Sequence, residues 1–167
     1  MTQDTPQKNG QPDDAQDAFV TLGEFLEEDG WFPQRIDDRS IFRVGFAGKN
    51  GQQVCYARVV EELQQLLFYA VAPVKAPEAL RPTAAEFITR ANYGLRIGNF
   101  EMDYSDGELR YKTSIDFEGV ALTPQLLRNT LYPAVQTLDR YLPGLMQVLY
   151  AGIAPASAIE AVENPPA

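Results

Sequence analysis

Residues 82–112 read PTAAEFITRANYGLRIGNFEMDYSDGELRYK, and this stretch decides the fold class. Apolar residues in its first half recur at helical spacing, and Pro82 followed by the capping box Thr83-Ala84-Ala85-Glu86 predicts the start of a helix. The second half predicts a β-hairpin whose loop is Asp106-Gly107. A helix followed directly by an antiparallel hairpin indicates an α+β protein.

The hairpin has a register that its sequence supports. With Asp106-Gly107 as a two-residue loop, Met102 faces Tyr111 and Asp103 faces Arg110. Apolar pairs then lie on one face and opposite charges on the other, so the turn residues, the register and the core face agree.

Upstream of this stretch, residues 31–36, 40–47, 53–60 and 66–74 form short segments typical of strands. Asn50-Gly51 predicts a type I′ turn between the second and third of them, because both residues tolerate positive φ. This register places Arg43 opposite Arg58. One face of the hairpin would then belong to the core, with the residues Phe42, Val44, Phe46, Cys55, Ala57 and Val59.

The other face of this hairpin is the candidate surface for a partner or a ligand. It is more apolar than a face left to water should be. Its residues are Ile41, Arg43, Val54, Tyr56, Arg58 and Val60.

Two interpretations of Arg43 and Arg58 remain open at this point. Like charges across a strand pair repel each other unless something lies between them. In the structural interpretation, a carboxylate of the sheet satisfies the arginines. In the functional one, their guanidinium groups hold an anionic ligand or a carboxylate-bearing partner beside Tyr56.

The flanking regions predict one globular domain over residues 18–163. Residues 1–17 contain no Val, Ile, Leu or aromatic residue and are expected to form a disordered, polar and acidic tail, and residues 164–167 a second short tail. The first helix is expected from Ala18 to Asp29.

Thr123-Pro124 predicts the start of a final helical region, which Pro133 and Pro143 should kink or break. Only three of residues 122–159 are charged, so this region either lies in the centre of the domain or meets another chain. A transmembrane span over residues 141–159 is the weaker alternative, because prolines and glycines interrupt it.

Composition restricts the function. The 167 residues include 14 Lys and Arg against 23 Asp and Glu, a formal net charge of −9, which is the wrong sign for binding nucleic acid or an anionic membrane. There is no histidine, the usual general base and metal ligand near neutral pH, and we expect no enzyme and no cofactor. The single Cys55 cannot form an internal disulfide and fits a cytoplasmic protein.

The carboxylates Asp103, Asp106 and Glu108 lack the spacing of a calcium loop, and the hairpin already accounts for them. We therefore expect no metal site. Acidic residues are unevenly spread, because residues 1–38 hold ten of them against two basic residues, which leaves the rest of the chain nearly neutral.

Residues 85–103 and 106–111 resemble the centre of the YbjN domain family. Leu122-Thr123, Tyr141-Leu142-Pro143 and residues 152–160 are similar to the C-terminal half of that family. The resemblance implies a fold like that of type III secretion chaperones, in which helices pack against a twisted antiparallel sheet, often in a dimer. It also implies a regulator of sensory transduction or stress responses, with no catalytic residues to transfer.

Together these observations predict a non-catalytic protein-binding module, a chaperone-like adaptor or regulator. It would hold a segment of another protein by strand addition or in apolar pockets, and it is expected to form a homodimer. The alternative is a regulator that responds to a small anionic molecule bound near Arg43 and Arg58.

Overall fold

The computed structural model of the protein describes residues 12–36 and 38–165, which form a six-stranded sheet and four α-helices. The helices are α1 (Pro12–Glu28), α2 (Arg81–Asn92), α3 (Pro124–Tyr150) and α4 (Pro155–Glu163). The strands are β1 (Gln34–Arg35), β2 (Ile41–Ala47), β3 (Gln52–Val60), β4 (Gln65–Lys75), β5 (Asn99–Met102) and β6 (Glu108–Asp116).

The strands follow the order β1-β2-β3-β4-β6-β5, and every neighbouring pair is antiparallel. The predicted α+β class with an antiparallel sheet is therefore confirmed. Alternate residues of the strands are buried, as expected for a sheet with one covered face. The central row of buried side chains crosses five strands through Val44, Cys55, Ala70, Tyr111 and Phe100.

The helices pack on the face that carries this row. Phe19 of α1 stacks on Phe42 of β2, with ring centroids 4.4 Å apart. The buried Gln53 side chain of β3 donates a hydrogen bond to the main-chain carbonyl of Val135 in α3, at 3.0 Å. Thr113 of β6 donates in the same way to a carbonyl of α3. Within the described residues, no helix covers the opposite face of the sheet.

Both predicted hairpin registers are wrong by two residues. Arg43 pairs with Tyr56 rather than with Arg58, and Met102 pairs with Leu109 rather than with Tyr111. The cause is the position of each turn, whose centre lies one residue closer to the N-terminus than predicted: Gly48 N bonds to the Gly51 carbonyl across the first turn, and Asp103 N to the Glu108 carbonyl across the second. A shift of two residues keeps every side chain on its predicted face, so the predicted core face is still correct.

Asn50 does not form the predicted type I′ turn. The loop between β2 and β3 is closed by a hydrogen bond from Gly48 N to the Gly51 carbonyl, at 2.9 Å. Asn50 has negative φ, since the only positive-φ residues other than glycine in the described chain are Phe32 and Gln64. The Asn50 side chain is used instead for a contact with α3, which no local pattern could indicate.

Helix α2 begins earlier than predicted. A short 3-10 turn, Glu78–Leu80, leads directly into it, so Thr83 lies inside the first turn and caps nothing. The predicted capping box is therefore wrong. Glu86 pairs instead with Arg90, one turn later on the same helix face.

Helix α3 runs without a break through Pro133 and Pro143. Its predicted cap is confirmed, because the Thr123 hydroxyl accepts a hydrogen bond from Leu126 N at 3.2 Å. Twelve of its residues are buried, which places it in the centre of the domain. Residues 141–159 are divided between the end of α3 and the start of α4, and none of the helices described is long and apolar enough to cross a membrane.

The N-terminal elements also differ from expectation. Helix α1 begins at Pro12, six residues before the predicted Ala18, so that only residues 1–11 of the predicted tail lie outside the described residues. In residues 31–36, only Gln34 and Arg35 form a strand, because Pro33 has no backbone N–H to donate to the ladder.

Candidate partner-binding surface

The face of the sheet opposite the helices, hereafter the open face, carries a stripe of apolar side chains along its two central strands. Tyr56 of β3 pairs with Tyr69 of β4, and Val54 pairs with Val71. All are partly exposed. With Leu67 at one end, these five residues form what we call the apolar stripe: Val54, Tyr56, Leu67, Tyr69 and Val71.

Cationic side chains lie on both sides of the apolar stripe. The register places Arg43 of β2 next to Tyr56 and Lys112 of β6 next to Tyr69, in one row across the sheet. Arg110, also on β6, lies over the ring of Tyr69, with its guanidinium carbon 4.3 Å from the ring centroid. Arg58 is on β3 itself, opposite Leu67, and lies at one end of the stripe. We call Arg43, Arg58, Arg110 and Lys112 together the cationic flanks.

Glu101 of edge strand β5 neutralises part of one flank. It forms ion pairs with Arg110 and with Lys112. Burial alone would raise the pKa of Glu101, but the hydrogen bonds from Lys112 and Arg110 outweigh burial and hold this pKa below its usual value. Glu101 therefore stays ionised at neutral pH, and one carboxylate serves two cations.

Arg43 and Arg58 are not the directly opposed pair that the sequence indicated. Arg58 pairs with Ile41, one row away from Arg43, so the two arginines are diagonal neighbours. Arg43 makes a long hydrogen bond, 3.4 Å, to the side-chain oxygen of Gln34. No carboxylate within the described part of the chain forms an ion pair with either arginine.

The predicted surface residues are brought together with one exception. Ile41, Val54 and Tyr56 are partly exposed on the open face, together with the two arginines. Val60 is only 8% exposed at the end of β3 and offers little surface to a partner.

A hollow of about 390 Å³ lies beside Val60, where β2 begins and β3 ends. It is lined by Arg39 and Arg58 but also by Glu61 and Glu62. The two carboxylates make this hollow a poor site for an anion.

The sequence reasoning missed the half of the surface that lies beyond β3. Leu67, Tyr69 and Val71 alternate with the buried residues of β4, and that alternation was available as a signal. Arg110 and Lys112 could not have been placed here, because the pairing of β6 with β4 skips β5 in the chain order.

The edge of the sheet at β5 is closed by a side chain. The amide of Asn92, at the end of α2, accepts a hydrogen bond from Phe100 N at 2.7 Å and donates one to the Phe100 carbonyl at 3.1 Å. These are the groups that another strand would need for pairing. The opposite edge strand, β1, is only two residues long.

The contacts of Cys55, Asp103 and Asp106, the other residues considered for chemistry, are those of structural residues. Cys55 is fully buried, and burial raises the pKa of its thiol to about 12. Asp106 forms an ion pair with Lys75, and Asp103 accepts hydrogen bonds from Ser105 in the turn between β5 and β6.

Comparison with known proteins identifies the family of this chain. Residues 20–146 match the family YbjN, described as "Putative bacterial sensory transduction regulator". The chain belongs to the YbjN family. The YbjN match covers all six strands, α2 and most of α1 and α3.

Among the solved structures similar to this YbjN-family chain is "Crystal structure of YbjN, a putative transcription regulator from E. coli". The two are 14% identical, with a TM-score of 0.49, and the similarity covers 80% of this chain and 89% of that one. No match was found among curated proteins.

Proposed function

We propose that this YbjN-family chain is a non-catalytic regulator that acts by holding a segment of another protein on the open face of its sheet. The observation that carries the proposal is the apolar stripe, which five side chains on β3 and β4 present on the side away from the helices. Apolar side chains gathered in one exposed patch mark interaction sites more often than scattered ones do.

The face supports this function better than the edges do. Strand addition requires free backbone groups on an edge strand, and Asn92 already occupies those of Phe100. At the other end, β1 offers two residues, too few for a stable strand pair. Binding through side chains on the face uses neither edge.

The surface chemistry favours binding over catalysis. Glu101 is the carboxylate closest to the cationic flanks, and two cations keep it ionised. A general acid or base needs a pKa near the working pH, and the shift of Glu101 is in the opposite direction. Cys55, the one thiol, lies in the core with its pKa raised.

A small anionic ligand remains the second candidate. Arg43 and Arg58 have no carboxylate partner within the described residues, and diagonal neighbours on a sheet lie about 7–8 Å apart. Two guanidinium groups at that spacing can reach one carboxylate or phosphate beside Tyr56.

The expected homodimer would have to use another surface. Stacking two open faces would bring the cationic flanks of both copies together, which like-charge repulsion opposes. The C-terminal end of α3 and the following loop expose Met146, Tyr150 and Ile153. We propose that self-association uses this end of α3.

Site-specific photo-crosslinking tests the protein-binding function. A photoreactive phenylalanine replaces Tyr69 in the stripe or, as a control on the helical side, the exposed Glu86 of α2. We expect irradiation in native extract to join position 69, but not position 86, to a specific polypeptide. Equal crosslinking at both positions would contradict the proposal. Loss of that adduct when a co-purified metabolite is added would favour the small-ligand candidate instead.

A further inference from the structure

The dimensions of the open face define what kind of segment fits it. Along the strands, the stripe extends from Leu67 to Val71, which is about 13 Å at 3.3 Å per residue. Across the strands, Arg43 and Lys112 lie three strand spacings apart, about 14 Å. The face is therefore a short apolar floor with Arg43 on one side, Arg110 and Lys112 on the other, and Arg58 at one end.

These dimensions match an α-helix better than an extended strand. A helix is about 10–12 Å wide with its side chains, so it fills the space between the flanks, and about 9 residues span the length of the stripe. A strand laid flat on the face would leave its own backbone groups without ladder partners. A helix satisfies its backbone internally and needs only side-chain contacts.

The charges on either side define the chemistry of that helix. Four cations border the stripe, and within the described residues Glu101 pairs with two of them, Arg110 and Lys112. Arg43 and Arg58 have no such partner there. Acidic side chains at the edges of a docked helix would pair with these guanidinium groups, whereas basic ones would be repelled.

A single-stranded nucleic acid is the competing occupant, because aromatic rings on a sheet with basic neighbours can stack bases. Two observations disfavour it. Arg110 already lies over the ring of Tyr69, and the chain as a whole carries a net charge of −9.

We propose that the open face binds an amphipathic helix of about 9–12 residues, whose apolar side chains at i, i+3 or i+4 and i+7 contact the apolar stripe while Asp or Glu on both sides of that apolar face pairs with the cationic flanks. This rests on the proposed function, since it specifies the segment that the open face holds. The partner helix completes a three-layer arrangement in which the sheet lies between α3 and the helix.

Peptide display on the purified full-length chain tests this chemistry. The library consists of 14-residue peptides with leucine or isoleucine fixed at helical spacing and all other positions random. Three baits are used: the wild type, R43E/R58E, and R96E as a control for charge reversal away from the open face, because Arg96 is exposed in the loop between α2 and β5. Thermal melting establishes that each bait is folded. A labelled 12-nucleotide oligouridine is tested on the same proteins.

We expect the wild type and R96E to select peptides with Asp or Glu on both sides of the apolar face, bound at least tenfold more weakly by R43E/R58E. That variant should select Lys or Arg at the same positions. Selection by the wild type of basic or uncharged flanks would overturn the inference, as would selection without any preference for helical peptides. Retention of oligouridine but of no helical peptide would overturn it too.

These results are separable from the test of the proposed function. If position 69 crosslinks to a specific polypeptide but the display selects no acidic peptides, the protein-binding function stands and only the inference of an acidic helix fails. Absence of such crosslinks would count against protein binding itself.

Discussion

The side-chain amide of Asn50 donates a hydrogen bond, 2.9 Å long, to the main-chain carbonyl of Asp139 in α3. In a regular helix this carbonyl would accept from the N–H of residue 143, but that residue is Pro143, which has none. The Asp139 carboxylate in turn accepts hydrogen bonds from the backbone N–H groups of Lys49 and Asn50. The loop between β2 and β3 and the central helix therefore satisfy each other's unpaired groups.

Replacing Asn50 by alanine should lower the free energy of unfolding by about 1 kcal/mol, the usual net contribution of one hydrogen bond. In a P143A background, residue 143 regains its N–H, so the same replacement should cost less than half as much. Urea unfolding of the four proteins in this double-mutant cycle measures the coupling. Additive effects would show that the Asn50 amide does not substitute for the missing helical donor. N129A is the control, because within the described residues the Asn129 side chain hydrogen-bonds only to Gln125 of its own helix.

Asp29 should make unfolding depend on pH on the acid side. Hydrogen bonds from Arg128 and Tyr132 lower the pKa of Asp29 below its usual value of 3.8. A carboxyl with a lowered pKa in the folded state stabilises the protein above the unfolded pKa, and this contribution is lost as the pH falls through the folded value.

D29N should therefore lower the unfolding midpoint in urea at pH 7, and the difference from wild type should shrink as the pH is lowered below about 4. The buried Trp31, the only tryptophan, reports unfolding by its fluorescence. A difference independent of pH would contradict this role of Asp29. Exposed Glu24 of α1 provides the control variant, E24Q.

Cys55 should be inert while the protein is folded. The thiolate is the reactive form, and burial raises the pKa of this thiol to about 12. At pH 8, a thiol reagent should label the native protein at least about 100-fold more slowly than the denatured one, because labelling requires opening of the core. Fast labelling without unfolding would show that Cys55 is accessible and would reopen its use as a nucleophile.

Self-association should depend on the end of α3 and not on the open face. We expect the wild type to dimerise, and Y150E, which places a charge next to Met146 and Ile153, should keep the protein monomeric at the same concentrations. Y69E changes a residue of the apolar stripe and should leave the dimer intact. Light scattering across a concentration series distinguishes the two, and the reverse pattern would assign the dimer contact to the open face.

Local patterns predicted the faces of the sheet but not its register. Alternation along residues 41–60 correctly separated Val44 and Cys55 from Arg43 and Tyr56, because side-chain direction depends only on strand geometry. The register depends on where the turn is centred, and a hydrogen bond from Asn50 N to the carboxylate of Asp139, 89 residues away in the chain, holds the turn at Lys49 and Asn50. No local signal contains that contact.

The candidate surface was likewise predictable only in part. Its residues on β2 and β3 follow from the sequence, whereas its cations on β6 do not. Arg110 and Lys112 reach the stripe because β6 pairs with β4, while β5 lies at the edge. That strand order is a tertiary property, set by how α2 packs beside β5 and α3 beneath β4 and β6.

The most direct measurement of the central claim, that the open face binds the partner, combines stability and affinity in R43Q/R58Q. Both arginines are exposed and have no ion pair within the described residues, so the free energy of unfolding should change by less than about 0.5 kcal/mol. Affinity for the polypeptide crosslinked at position 69 should fall at least tenfold, about 1.4 kcal/mol. Unchanged affinity, or a loss of 1–3 kcal/mol of stability as expected for a broken buried pair, would contradict the account.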